Sequence, residues 1–217
     1  MKFIAHRGLD NHNYYENTKE ALKNALSKDY ICGVELDIRL TKDNKFVIHH
    51  NSSYVYLGIR KFIKNTKYKD IVNDNLGNLD KPRYISGLEE FLSNIKTEKI
   101  ILLEIKHEIG NYDIIIDELD RIVNKYNKLN IWICSFNYNL VNEMTSKSKC
   151  NVGVIISDII NKKKDINRFN FISLSKNSFN DIKTDKIKIV WTVNKKSDLK
   201  RFKEADYIIT DKAYLFV

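Results

Sequence analysis

The stretch that decides the fold is Ile100-Ile101-Leu102-Leu103-Glu104-Ile105, which is apolar at every position except one. A strand that is apolar along its whole length is buried on both faces, and such strands are typical of parallel sheets covered by helices. Outward from this stretch, in both directions, short β-rich runs alternate with helical patterns. The alternation predicts an α/β protein built from repeated β–α units.

Eight β-rich runs are strand candidates, at residues 3–5, 34–38, 100–105, 131–134, 152–156, 171–174, 187–193 and 207–209. Helical patterns cover 17–28, 86–94, 112–126, a segment near Leu140 and 197–203, with a weak pattern between 156 and 171. A closed (β/α)8 TIM barrel is the natural arrangement of such a series. The alternative is a doubly wound open sheet, but no Gly-x-Gly-x-x-Gly follows the first strand.

The segment between the second and third strands is longer than one β–α unit requires. It contains a short extended piece, Phe46–Ile48, and a helix that Ser86 is predicted to cap, with Glu89 as its capping-box partner. The remainder is a small cap insertion at about residues 51–84, roughly thirty residues for which no regular secondary structure is predicted. The chain contains one proline and seven glycines, and no segment rich in these residues marks a linker between domains. Residues 1–217 are therefore expected to form a single domain.

Composition excludes several classes of protein. Lysine and arginine (37) exceed aspartate and glutamate (28) by nine, yet the clusters Lys162-Lys163-Lys164 and Lys195-Lys196 lack the aromatic residues of a nucleic-acid site and are predicted to be solvated surface. No apolar run reaches the ~20 residues that cross a bilayer, and no signal peptide is expected. Three cysteines without metal or redox spacing predict free thiols and a cytoplasmic location.

Unusual polar residues follow the predicted strands. His6 and Arg7 come after the first strand, Glu35 and Asp37 end the second, and Glu104 and Lys106 end the third. Asn194 follows the seventh predicted strand, and Asp211 follows the eighth. Because the carboxyl ends of the strands form one face of a TIM barrel, these side chains are expected to meet at a single mouth.

Glu35, Asp37 and Glu104 would form a cluster of three carboxylates. Crowded carboxylates repel one another unless a cation lies among them, and oxygen ligands suit Mg²⁺ or Ca²⁺. The alternative is a salt-bridge network with Arg7 and Lys106, without metal.

Two histidines fit proton transfer, His6 after the first strand and His50 after the extended piece. His12, His49 and His107 are interpreted as structural. Arg7 has the planar fork that matches two phosphate oxygens, although it is also a possible partner for a carboxylate.

These residues fall within blocks that occur in a known order: Ala5-His6-Arg7-Gly8, Glu16-Asn17-Thr18, Gly33-Val34-Glu35-Leu36-Asp37-Ile38, Thr41-Lys42-Asp43, Val47-Ile48-His49-His50, Leu103-Glu104-Ile105-Lys106, Ser135-Phe136-Asn137, Trp191-Thr192-Val193-Asn194 and Ile208-Ile209-Thr210-Asp211. The ordered set resembles the glycerophosphodiester phosphodiesterase family over almost the whole chain. The resemblance implies a TIM barrel that uses Mg²⁺ or Ca²⁺.

The resemblance also implies a role for each matching residue. Metal ligands would be Glu35, Asp37 and Glu104, and the acid–base pair would be His6 and His50. The family's second histidine lies nine residues after the threonine at position 41, which selects His50 over His49. Phosphate would be held by Arg7 and Lys106, whereas Glu16 and Trp191 would contact substrate.

The implied reaction is hydrolysis of small glycerophosphodiesters to glycerol 3-phosphate and an alcohol. Departures from the family pattern at Tyr15, Asn51 and 53–58 leave the choice of substrate open. Lysophospholipase D-like activity and a non-catalytic barrel that binds anionic lipid remain alternatives. A cap this small is expected to leave the mouth open and to discriminate little among head groups.

Overall fold

The computed structural model describes residues 1–9, 14–106, 112–157 and 165–217. The strands are β1 (Lys2–Ala5), β2 (Ile31–Leu40), β3 (Phe46–Ile48), β4 (Ser53–Tyr56), β5 (Ile59–Phe62), β6 (Ile100–Ile105), β7 (Asn130–Ser135), β8 (Asn151–Ile156), β9 (Phe171–Ser175), β10 (Ile187–Trp191) and β11 (Tyr207–Thr210). Within this part of the chain, β1, β2 and β6 to β11 pair in parallel in that order, and β11 pairs with β1. The sheet is therefore a closed eight-stranded barrel, which confirms the predicted fold class.

The helices are α1 (Lys19–Leu26), α2 (Tyr68–Asn73), α3 (Leu88–Ser93), α4 (Tyr112–Lys125) and α5 (Tyr138–Lys147). The helix expected at 197–203 is instead a 3₁₀ segment, Lys196–Phe202, in which Phe202 is the buried residue. A single apolar anchor does not define the buried stripe of an α-helix. In the described residues, no helix has the length and apolar character required to span a membrane.

The predicted cap of α3 is wrong. Gly87 occupies the N-cap position, and no side chain caps the helix. The Ser86 carbonyl instead accepts a hydrogen bond from the backbone N–H of Ile48 at 2.8 Å, which holds Ser86 in an extended segment beside β3. The weak helix expected between 156 and 171, the lysine cluster 162–164, His12 and His107 lie wholly or partly outside the described residues.

Apolar side chains fill both sides of the barrel wall. Inside, a cluster that includes Leu102, Trp132 and Phe171 closes the lower part of the barrel, and the Trp132 and Phe171 rings lie 5.0 Å apart. Gly153 makes room for this contact, since a Cβ at that position would come within 2.4 Å of the Phe171 ring. Outside, a larger cluster packs the strands against the helices. The polar residues at the strand ends therefore lie above a filled floor.

The insertion after β2 has regular secondary structure, contrary to expectation. It contains the antiparallel hairpin β4–β5 and helix α2. Tyr54, Ile63 and Ile71 form a small apolar cluster of their own with Val47 and Ile85. The Tyr54 hydroxyl donates to Asp74 at 2.7 Å, which joins the hairpin to the segment after α2.

Candidate active site

The turn after β1 fixes the first two site residues. His6, Arg7 and Gly8 form a 3₁₀ turn in which Arg7 has φ 53° and Gly8 has φ 73°. A side chain at Gly8 would come within 2.7 Å of the Leu22 backbone nitrogen in α1, so this position requires glycine. The Arg7 backbone N–H donates to Glu35 Oε2 at 3.0 Å, which joins the turn to β2.

The three carboxylates predicted to form a cluster do so. Glu35 and Asp37 are two residues apart on β2, so both point into the barrel, and Asp37 lies opposite Glu104 of β6. Each of the three residues offers an oxygen within 4.8 Å of those of the others. Glu35 is 2% exposed and Asp37 is 1% exposed, so their charges are largely removed from water.

Two basic side chains neutralise part of this charge. Asp37 lies between Arg7 Nε at 3.1 Å and Lys106 Nζ at 3.0 Å. Burial alone would raise the pKa of Asp37, but the charges of Lys106 and Arg7 outweigh burial and hold that pKa below its usual value. Lys106 also contacts Glu104. The salt-bridge network considered from the sequence is therefore present around Asp37 and Glu104.

Glu35 lies outside that network. In the part of the chain that the structure describes, it forms no ion pair with a lysine or arginine side chain, and its Oε1 is buried without a hydrogen-bond partner. Burial, followed by the charges of Asp37 and Glu104, raises the pKa of Glu35 to about 8. A divalent cation would complete the charge balance and supply a partner for Oε1, so the donor set fits a hard metal ion.

Asn17 supports Asp37, a role that the sequence analysis did not assign. Its Nδ2 donates to Asp37 Oδ2 at 2.7 Å, and its Oδ1 accepts from the Asp37 backbone N–H at 3.1 Å. Asn17 adopts φ 57°, a region in which asparagine is several-fold enriched. Its place in the Glu16-Asn17-Thr18 block was the available signal.

His6 is oriented by a second acidic residue. Its Nδ1 lies 2.6 Å from Asp211 Oδ1, and its Nε2 is directed toward Glu35 Oε2 at 3.9 Å. Asp211 is held in turn by Asn194, whose Nδ2 donates to Asp211 Oδ2 at 2.6 Å. Burial would lower the pKa of His6, but the bond to Asp211 and the charge of Glu35 outweigh it and raise that pKa. The sequence analysis placed Asp211 at this mouth without pairing it to His6.

The two adjacent histidines after β3 have different surroundings. His50 lines the same cavity as His6, and its Nδ1 lies 2.9 Å from Asn51 Oδ1. Partial burial lowers the pKa of His50 from its usual value. His49 does not line that cavity, and burial lowers its pKa to about 4. Of the two adjacent histidines, therefore, only His50 lies at this cavity.

A cavity of about 260 Å³ joins these groups at the mouth of the barrel. Its polar wall contains His6, Arg7, Glu35, His50, Glu104 and Lys106. Trp191 and Phe136 form an aromatic wall, with their ring centroids 5.7 Å apart. Asp37 does not line the cavity but contacts Arg7 and Lys106 of its wall, and Glu16 accepts from Arg7 Nη1 at 2.9 Å. Phe136 was not among the expected site residues, although the Ser135-Phe136-Asn137 block contained it.

Comparison with known proteins shows to which family the chain belongs. The model of the glycerophosphoryl diester phosphodiesterase family matches residues 6–214. The chain belongs to this family. A glycerophosphodiester phosphodiesterase of Caldanaerobacter subterraneus subsp. tengcongensis is 29% identical over an alignment of 235 positions, gaps included, that covers 96% of this chain and 93% of that protein.

Solved structures of similar proteins have the same fold. The glycerophosphodiester phosphodiesterase of Thermotoga maritima is 27% identical, with a TM-score of 0.79 over 99% of this chain and 96% of that one. An Oleispira antarctica phosphodiesterase, crystallised in complex with the product sn-glycerol-3-phosphate, is 22% identical, with a TM-score of 0.83 over 97% of this chain and 93% of that one. The latter comparison supports the fold alone.

Proposed function

We propose that the chain hydrolyses glycerophosphodiesters to glycerol 3-phosphate and an alcohol, as one catalytic unit of barrel and cap spanning residues 1–217. The observation that carries the proposal is the single cavity in which two histidines, two phosphate-binding candidates and two of the three clustered carboxylates meet. Family membership narrows the reaction to phosphodiester cleavage, and the relative from Caldanaerobacter is named for that activity.

A divalent metal fits the carboxylate cluster. Glu35, Asp37 and Glu104 would hold it, and their oxygen-only chemistry favours Mg²⁺ or Ca²⁺ over softer metals. When bound, such an ion polarises a phosphoryl oxygen and stabilises the charge that develops in the transition state.

We assign proton transfer to His6 and His50. One histidine removes a proton from the attacking hydroxyl group, which belongs either to water or to the glycerol of the substrate, and the other donates a proton to the leaving alcohol. The bond to Asp211 sets the orientation of the His6 ring and directs Nε2 toward the cavity. Detection of a transient cyclic phosphate by ³¹P NMR would distinguish attack by the substrate's own hydroxyl from attack by water.

The remaining residues bind substrate. Arg7 and Lys106 bring two positive charges to the cavity wall, where they would hold the phosphate. Glu16 accepts from Arg7 at the exposed side of the guanidinium and would keep it in position. The Trp191 and Phe136 rings would pack against the glycerol carbons.

A second candidate activity is supported by the cap. Val55, Leu57 and Ile59 of the β4–β5 hairpin are 56%, 82% and 64% exposed, and such a surface suits the acyl chain of a lysolipid. Assays of glycerophosphocholine and lysophosphatidylcholine, each with and without EDTA, separate the possibilities. Our proposal predicts EDTA-sensitive release of glycerol 3-phosphate from the first substrate. Cleavage of lysophosphatidylcholine alone would favour lysophospholipase D-like activity, and cleavage of neither these two nor glycerophosphoglycerol would favour the non-catalytic barrel.

We also propose that the enzyme acts in the cytoplasm. Three free cysteines, Cys32, Cys134 and Cys150, support this location, because thiols persist in a reducing compartment. Cell fractionation tests the proposal.

A further inference from the structure

A second cleft adjoins the catalytic cavity and shares His50 with it. The cleft has a volume of about 650 Å³ and opens between β2, the segment after His50 and the hairpin. Arg39, Arg60 and Arg83 line it, together with His49 and His50, and none of the described residues that line it is acidic. A concave surface lined by guanidinium groups attracts anions.

The register of the hairpin places Arg60 in this cleft. Tyr54 pairs with Lys61 and Val55 pairs with Arg60, so the two pairs point to opposite faces of the hairpin. The first pair faces the cap interior, where both Tyr54 and Lys61 contact Asp74, at 2.7 and 2.8 Å. Val55 and Arg60 of the second pair line the cleft, as does Tyr54 of the first. Arg60 forms no ion pair within the described residues, so its charge is available to a ligand.

The other two arginines are held in place by contacts with neighbouring residues. Arg39 donates from Nε to the His50 carbonyl at 2.9 Å and from Nη1 to the Lys106 carbonyl at 3.4 Å. The Arg83 guanidinium lies 5.0 Å from the centroid of the Tyr15 ring. Both side chains are half-buried. The charge of Arg39 is therefore fixed in position beside His50, and Arg39 contacts the backbone of two residues that line the catalytic cavity.

We propose that this cleft is a leaving-group subsite for a second phosphate. The inference rests on the proposed function, because it places the departing alcohol on the cleft side of His50. The preferred substrate is then a glycerophosphodiester whose alcohol itself carries a phosphate, such as bis(glycerophospho)glycerol or a short poly(glycerol phosphate). A choline or ethanolamine head group would bring positive charge to the arginines and would be disfavoured. The sequence analysis expected the small cap to discriminate little among head groups. The subsite would instead select substrates whose alcohol carries a phosphate.

The test compares two substrates that differ by one phosphate-containing unit, bis(glycerophospho)glycerol and glycerophosphoglycerol. We expect kcat/KM to be at least tenfold higher for the first, with the preference decreasing at 0.5 M salt. The double variant Arg60→Ala/Arg83→Ala should reduce the ratio to below three. A general loss of activity would lower both rates and leave the ratio intact, so the ratio reports on the subsite. Arg60→Ala alone, on an exposed hairpin position, should lower the ratio with little risk to folding.

Arg168→Ala is the matched control, because this exposed arginine precedes β9 at the amino ends of the strands and removes the same charge. Its ratio should equal that of the wild type. A wild-type ratio below three, or a ratio that the double variant leaves unchanged, would overturn the subsite. Rates on a short poly(glycerol phosphate) then show whether a polymer or a lipid-derived head group is the better source of the second phosphate.

Failure of the proposed function gives a different result, namely no cleavage of any diester with Mg²⁺ or Ca²⁺ present. Calorimetric titration in EDTA would then decide the subsite by binding alone. Bis(glycerophospho)glycerol should bind the wild type at least tenfold more tightly than glycerophosphoglycerol, and the double variant should lose the difference. Equal binding by the wild type would contradict the subsite.

Discussion

Asp211→Asn tests how the site sets the chemistry of His6. In the wild type, Asp211 Oδ1 lies 2.6 Å from His6 Nδ1, which favours a proton on Nδ1 and leaves Nε2 to act at the cavity. Asn194 Nδ2 donates to the other Asp211 oxygen. In the variant, the Asn oxygen would continue to accept from Asn194, so its amide NH₂ would face Nδ1. An amide donor there favours the opposite tautomer, with the proton on Nε2.

The expected magnitude follows from the bond that is lost. A hydrogen bond to a charged group contributes about 1.5–3 kcal/mol, and each ~1.4 kcal/mol corresponds to a factor of ten in rate. We therefore expect kcat to fall by about 10- to 150-fold. KM should change little, because Asp211 does not line the cavity that binds substrate. The pH dependence of kcat/KM should shift as well, because Asp211 is one of the groups that raise the pKa of His6.

Steady-state release of glycerol 3-phosphate across a pH series measures all three quantities. Asp185→Asn is the matched control, because Asp185 is exposed, lies before β10 at the other end of the barrel and should leave kcat unchanged. Thermal unfolding of the variant should resemble that of the wild type, which separates a defect in the site from a defect in folding. A kcat for Asp211→Asn within threefold of the wild type would refute the assigned role of the His6–Asp211 contact.

Three further predictions follow from the same geometry. His50→Ala should lower kcat by about a hundredfold or more, the usual scale for a general acid–base group. His49→Ala should retain most activity. The reverse result would mean that His49, and not His50, is the acid–base group. Glu35→Gln should weaken Mg²⁺ or Ca²⁺ binding measured by calorimetry without unfolding the barrel, and unchanged affinity would remove Glu35 from the metal site. Burial lowers the pKa of His49 to about 4, so the folded state favours the neutral ring. As the pH falls, this histidine is therefore protonated in the unfolded chain at a higher pH than in the folded protein. Stability should therefore decrease between about pH 6.5 and pH 4, by up to about 3 kcal/mol, and urea unfolding of His49→Gln should show a flatter pH dependence.

The sequence predicted the barrel because its fold is encoded in a repeated pattern. Most strands of the barrel are buried along most of their length, and several polar site residues stand at or near the carboxyl end of a strand, as Glu104 does on β6. Alternation along a strand also predicted that Glu35 and Asp37 share one face. These features depend only on the order of residues along short segments of the chain. Contacts between distant segments, such as His6 with Asp211, depend on how the barrel closes and could not be assigned from spacing.

The errors of the sequence analysis have the same origin. Ser86 is a good capping residue, but its carbonyl pairs with Ile48 in an extended segment, and tertiary pairing outweighs local propensity. The cap insertion had no clear hydrophobic pattern in the sequence, because its strands and helix are short. In the structure, Tyr54 and Ile71 nevertheless pack in a separate apolar cluster. Arg60 belongs to the cleft only because of the hairpin register, which places Val55 opposite it.

The most direct test of the central claim is ³¹P NMR of glycerophosphocholine and glycerophosphoglycerol incubated with the purified chain and Mg²⁺ or Ca²⁺. The account predicts that the diester signal is replaced by that of glycerol 3-phosphate, that EDTA stops the conversion, and that added metal restores it. Persistence of the diester at high enzyme concentration with either metal, or full turnover after exhaustive chelation, would contradict it.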